Sequence, residues 1–236
     1  MEIPDESVPR GSGVTRYPAR DRAWEPAAES EPDTVEAIER HIERHFGAPA
    51  FVWHELVSDL VHVDVQMIEP SPSRPYNTLI TSGMSDLPMT VPDGADCSRY
   101  AELMMCLPAD WPLTQEAFGD DSAYWPVRLL KMVARLPHEY DTWIAAWHSV
   151  PNGDPATPYA PDSPFVGVLV APMVNCEPEA RTITTDAGKE ISLLALVPLH
   201  PAEMQLKLTE GTNALIEVLD SGDVSELLDP ARPSSV

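Results

Sequence analysis

Between residues 33 and 68 the apolar period of this chain switches from helical to extended, so no single repeating element accommodates both halves of the segment. Asp33 can cap free backbone N–H groups, and Glu36 three positions on completes a capping-box-like pattern. Val35, Ile38, Ile42 and Phe46 then recur at three- or four-residue intervals and form one stripe of a helix, which Gly47 and Pro49 stop. From Leu56 to Ile68 the pattern alternates: Val61, Val63, Val65 and Met67 share one face, and His62, Asp64 and Gln66 the other. That is a strand with one wet face, paired antiparallel with residues 51–57.

The rest of the chain repeats the mixture. Pro70, Pro72 and Pro75 enforce a loop before a strand at Thr78–Thr81, and Ala101–Leu107 reads as another strand. Trp125-Pro126 opens a second helix, with Leu129, Leu130, Val133 and Leu136 on its buried face. Phe165–Val174 and Ile191–Val197 are short, β-branched runs of the buried-strand kind, separated by a hairpin turn near Asp186-Ala-Gly188. Pro201–Thr209 satisfies both a strand and a helix pattern, whereas Thr212–Leu219 is a helix closed by Gly222. The order helix, strands, helix, strands, helix points to an α+β domain.

The 236 residues, 43% of them hydrophobic, suffice for one substantial core. Residues 1–31 are rich in Pro, Gly, Ser, Arg and Glu and are expected to form a flexible tail. The domain is expected over residues 32–220, followed by an acidic, Pro/Ser-containing tail at 221–236 from which Val224, Leu227 and Leu228 could dock a short piece. A formal charge of −23 opposes binding to nucleic acid, which relies on phosphate neutralisation by Lys and Arg. The same charge keeps a molecule soluble and speeds its encounter with basic proteins. Cys97, Cys106 and Cys176 are too few and too irregularly spaced for a disulfide framework, which fits a reducing cytoplasm. No run approaches the roughly 20 apolar residues of a membrane span, so neither membrane nor export is expected.

The sequence carries few residues in catalytic or metal-ligating patterns. His41 and His45 lie four apart on the first helix, but Ile42 stands where a zinc-protease motif needs its Glu, so ordinary helix-surface histidines are expected. His62 and Asp64 share a strand face, and His148 follows Trp147 near Asp141 and Asp154; these are the residues an unrecognised enzyme would use in a cleft. No nucleophile elbow, dinucleotide loop or phosphate loop is present: Gly11-Ser-Gly13 lacks a preceding strand, and Ser82-Gly83-Met84-Ser85 lacks a Gly before its first Ser. No catalytic residue, metal ligand or cofactor is assigned on these grounds.

Ile80-Thr-Ser-Gly-Met-Ser-Asp-Leu87, Tyr100-Ala-Glu-Leu103, Trp125-Pro126 with the helix to Arg135, Trp147-His-Ser149 and Val166-Gly-Val-Leu169 leading to Cys176-Glu-Pro-Glu179 together resemble the suppressor of fused domain, in shared order and spacing from Ile38 to Leu219. The resemblance implies a mixed, mainly antiparallel sheet packed with about three helices, and a protein-binding module that does no chemistry. In the animal relatives a second domain follows, and a transcription-factor peptide lies between the two, held by strand pairing and acidic side chains. Asp86 and Glu102 match acidic positions associated with that groove, and Thr81, Gly83 and Tyr100 surround them in sequence. Too few residues follow Leu219 for a second domain here, which implies a single-domain bacterial type. The expected partner is a peptide or protein of basic character, with an immunity protein neutralising a toxin domain as the sharper form. A self-associating scaffold is the remaining alternative.

Overall fold

The computed structural model describes residues 15–17, 23–55 and 57–236; most of the expected N-terminal tail lies outside the described residues. Its elements run α1 (Pro32–His45), β1 (Phe51–Trp53), β2 (Asp64–Ile68), β3 (Tyr76–Ser82), β4 (Tyr100–Pro108), α2 (Asp121–Glu139), β5 (Ser149–Pro151), β6 (Gly167–Ala171), β7 (Thr182–Thr184), β8 (Glu190–Leu199), α3 (Pro201–Glu210) and α4 (Thr212–Ser221). The strands form one eight-stranded sheet in the order β1-β2-β3-β4-β8-β6-β5, with β7 also paired to β8. β4 and β8 run parallel and the other named pairs antiparallel. The α+β class and the mainly antiparallel sheet are therefore as the sequence predicts, with four α-helices among the described residues rather than about three.

Alternation along the central strands distributes side chains to two cores. Leu103, Met105 and Leu107 of β4, with Leu79 and Val65, face α2 through Leu129, Leu130 and Val133. Met104 and Cys106, with Ile80, Ile68, Ile191 and Leu193, face α1 through Ala37, Ile38 and Ile42. Farther along that second face, Leu169, Ala171, Val197 and Leu199 pack against Met204, Leu215 and Leu219 of α3 and α4. The sheet is thus covered on both sides, which explains why β4 and β8 read as nearly continuous apolar runs rather than alternations.

Four local readings change. The strand expected over 56–68 is β2 at Asp64–Ile68 and its expected partner over 51–57 is β1 at Phe51–Trp53, with the described residues 57–63 outside the named strands. Asp33 does not cap α1: the N-cap is Glu31 with Pro32 behind it, and the Asp33 carboxylate instead accepts from the Asp186 and Ala187 N–H groups of the β7–β8 turn. α2 starts before Trp125, because Asp120 caps it by accepting from Ser122 N–H at 2.9 Å. Pro201–Thr209 is a helix, since the Glu203 carboxylate reaches back to His200 N–H at 2.8 Å in a capping box.

Both predicted tails carry ordered contacts. Residues 25–28 run beside Asp59 and Leu60, with Ala28 N–H donating to the Leu60 carbonyl at 2.9 Å. At the other end, Cys106 N–H donates to the Glu226 carbonyl and Leu228 N–H to the Cys106 carbonyl, which extends the β4 ladder. The fully buried Glu203 carboxylate binds the Arg232 guanidinium at 2.6 and 2.7 Å and accepts from Ser235 N–H at 2.9 Å. Residues 221–236 are therefore part of the fold, because they supply partners that buried groups of the domain need.

Candidate functional site

The five candidate residues meet where β3 ends against β4. Beyond the Ile80–Met104 pair the two strands separate. Thr81 spans the gap with its side chain, since Oγ1 accepts from Leu103 N–H at 2.8 Å and donates to Glu102 Oε2 at 2.6 Å. The chain then turns at Gly83, whose φ is +118°, into the single 3₁₀ turn Met84–Asp86. Only glycine fits at Gly83, because a Cβ there would lie 1.8 Å from the His62 carbonyl oxygen.

Glu102 is completely buried and collects this turn. Its Oε1 accepts from Gly83 N–H and Ser85 N–H, each at 3.0 Å, and from Ser85 Oγ at 2.6 Å. Burial pushes the Glu102 carboxyl above its ordinary range, opposed by these donors and by Thr81. From the other side, His138 near the end of α2 uses Nε2 to donate to the Met84 carbonyl at 2.9 Å.

Asp86 is held at the rim of this scaffold, partly exposed. Its Oδ2 accepts from Ser30 Oγ at 2.6 Å, and burial raises its carboxyl against the opposing pull of Ser30, Lys189 and His62. Tyr100, also partly exposed, lies beneath Lys189, whose Nζ is 4.3 Å from the ring centroid. Lys189 Nζ further reaches Thr34 Oγ1 at 3.2 Å and Glu31 Oε2 at 3.8 Å. Thr81, Gly83 and Glu102 are thus interior, while Asp86 and Tyr100 face a polar rim made by Ser30, Glu31 and Lys189. Sequence reading missed Ser30, Ser85, His138 and Lys189. The Ser85 position carried a usable signal, being the third hydroxyl of a Thr-Ser-Gly-Met-Ser run, whereas the other three reach the turn only through tertiary packing.

The two histidines considered for an enzyme lie toward opposite edges of the sheet. His62 precedes β2 and His148 precedes β5, with four strands between, a separation of about 24 Å at the usual strand spacing. His148 is packed against Trp143, with ring centroids 5.5 Å apart, and burial lowers its basicity. His41 Nε2 contacts the Ala180 carbonyl at 3.0 Å, and burial lowers this imidazole as well. Two open clefts, of about 270 and 310 Å³, flank α1, and neither is lined by His62, Asp64 or His148. His54, His62 and Asp64 do converge, with ligand atoms all within 4.8 Å of one another. Among the described residues no helix is long and apolar enough to cross a membrane.

The family model for Suppressor of fused protein (SUFU) matches residues 59–233. The chain belongs to the suppressor of fused family. A crystal structure from Neisseria gonorrhoeae FA 1090, described as that of a SUFU homolog, superposes with a TM-score of 0.61 at 15% identity, covering 86% of this chain and 95% of that one. The Sufu-Fu complex structure gives a TM-score of 0.59 at 16% identity, covering 89% of this chain and 93% of its counterpart. Drosophila Suppressor of Fused gives 0.56 at 15% identity over 90% of this chain, which spans only 52% of that protein. At these identities the likeness is one of fold. No curated protein matches the chain.

Proposed function

We propose that this protein is a non-enzymatic interaction module that captures a peptide or protein of basic character at the Asp86–Tyr100 rim. The observation that carries the reading is the division within the candidate set. Glu102 has its hydrogen-bonding capacity taken up internally by Thr81, Gly83 and Ser85, and so fixes a rigid turn, while Asp86 is presented at the surface with Ser30 Oγ as its close partner. A carboxylate so presented can accept from an incoming Arg, Lys or His side chain in place of that hydroxyl. The net charge of −23 would accelerate encounter with a cationic partner. Membership of the suppressor of fused family, with a fold like that of the protein in the Sufu-Fu complex, supports a protein partner over a small substrate. In its sharper form the module is a cytoplasmic, bacterial immunity protein whose partner is a basic toxin domain.

The test is retention of proteins from the native lysate on immobilised wild type and on Asp86→Arg, followed by association kinetics with whatever is retained. The expected result is a basic protein held by wild type and lost by Asp86→Arg, with association slowing steeply as salt rises. Equal retention by both forms, or a salt-independent association rate, would overturn the reading. If the retained protein is harmless when expressed alone, the immunity form fails while the binding form stands.

A further inference from the structure

Strand pairing, rather than sequence proximity, brings His54, His62 and Asp64 together. Trp53 pairs with Val65, so His54, one residue past β1, falls beside Asp64 at the start of β2, and His62 lies two residues before Asp64 on the same face. His54 Nδ1 is 2.7 Å from Asp64 Oδ2, and His62 Nε2 is 2.9 Å from Asp64 Oδ1. The carboxylate therefore stands between two imidazole nitrogens, with Glu55 N–H also donating to Oδ1 at 3.2 Å.

A chain of hydrogen bonds behind His62 decides what its Nε2 offers. Glu55 Oε2 accepts the Ser58 hydroxyl proton at 2.8 Å and Val63 N–H at 3.2 Å, and the same carboxylate is held by Arg135 and Lys131. Because the Ser58 hydroxyl has one proton and gives it to Glu55, its oxygen must accept from His62 Nδ1–H at 3.0 Å. With Nδ1 carrying a proton, the neutral ring turns an Nε2 lone pair toward the Asp64 oxygen, two electron-rich atoms in contact. Two species relieve that contact: a second proton on His62, or a cation between His62 and Asp64. A backing hydrogen bond that fixes the ring and its tautomer is the usual arrangement behind a metal-ligating histidine.

We propose that His54 Nδ1, His62 Nε2 and Asp64 form a three-ligand site for a divalent transition metal of the zinc class. Two imidazoles and one carboxylate suit zinc, cobalt, nickel or copper better than calcium or magnesium, which take oxygen ligands. Bond lengths near 2.1 Å and a tetrahedral angle place ligand atoms roughly 3.3 Å apart. The present 2.7 and 2.9 Å contacts need to open only slightly, through the exposed side chain of His54 and the partly exposed side chain of His62. The His54 side chain is exposed and that of His62 partly so, which leaves an ion here open to solvent. Gly83 rests on the His62 backbone, so an ion here would sit against the turn that carries Asp86.

The test uses the untagged full chain titrated with Co²⁺ and then Zn²⁺, alongside His54→Gln/His62→Gln. The expected result is visible ligand-field absorption saturating at one Co²⁺ per chain and abolished by Zn²⁺, with affinity falling at least about tenfold in the double variant. Displacement of Co²⁺ by Mg²⁺ or Ca²⁺ as readily as by Zn²⁺ would overturn the assignment, as would undiminished binding in the double variant. Histidine ring resonances of the unsubstituted protein provide an arm independent of variant folding: Zn²⁺ should shift His54 and His62. Shifts at His41 and His45 alone, or none, would also overturn it.

Discussion

The Glu102 carboxylate lies 3.0 Å from the backbone N–H of Gly83, and through that bond the first part of a central strand fixes a turn nineteen residues earlier in the chain. The contact needs both residues as they are. Glu102 is fully buried, and the hydrogen-bond donors of Thr81, Gly83 and Ser85 oppose the cost of its desolvation. Gly83 delivers one of those donors from a conformation, and at a distance from His62, that no side chain permits.

Glu102→Gln should destabilise the protein by about 1–3 kcal/mol, because one carboxylate oxygen becomes an amide donor facing groups that already donate. Urea unfolding would show a lower midpoint with an unchanged slope. An unchanged midpoint would mean that the four contacts to Glu102 carry no net stability.

Gly83→Ala places a methyl group 1.8 Å from the His62 carbonyl oxygen, and the backbone must move to relieve it. We expect a loss of more than about 3 kcal/mol, or failure to fold. A loss within about 1 kcal/mol would show that the turn relaxes freely.

Acid should loosen the C-terminal segment. Burial alone would raise the Glu203 carboxyl, but the Arg232 guanidinium and the Ser235 and His200 N–H groups more than offset it and hold this carboxyl below its ordinary range. A depressed folded value means that the stabilisation is present above the unfolded value of about 4.3 and disappears as pH falls through the folded one. Arg232→Met should cost about 3 kcal/mol at neutral pH by leaving a buried carboxylate unpaired, and should remove this acid-induced loss. Urea midpoints of both forms between about pH 3 and pH 7 would check it.

Lys207 gives the opposite slope. Burial pushes its ammonium from 10.5 to about 8, with Trp147 carbonyl and Thr212 Oγ1 as its hydrogen-bond partners. Between those values the unfolded chain binds more protons than the folded one, so this residue's contribution to stability rises with pH. Because deeply buried Cys106, raised to about 12, titrates in the opposing sense, the informative quantity is a difference. The stability of wild type relative to Lys207→Met should increase by up to about 3 kcal/mol across that window. A flat difference would place the amine in contact with water.

The stripe Val35-Ile38-Ile42-Phe46 and the apolar runs of β4 and β8 were legible in the sequence, because helices and strands impose periods on neighbouring residues, whereas the alternation from Val61 overran a strand that begins at Asp64. The family was legible for a related reason: the resemblance rested on motifs close together along the chain, among them the run through Gly83 to Asp86. Only tertiary structure separated Glu102 from Asp86, two carboxylates that look alike in sequence, since the difference lies in donors brought from β3 and in a hydroxyl brought from Ser30. The same holds for Asp33, which caps a turn more than 150 residues away rather than its own helix, and for Glu226 and Arg232, whose partners make the expected tail part of the domain. Apolar burial leaves a periodic trace along the chain, whereas the partner of a buried charge is chosen by packing between distant segments and leaves none.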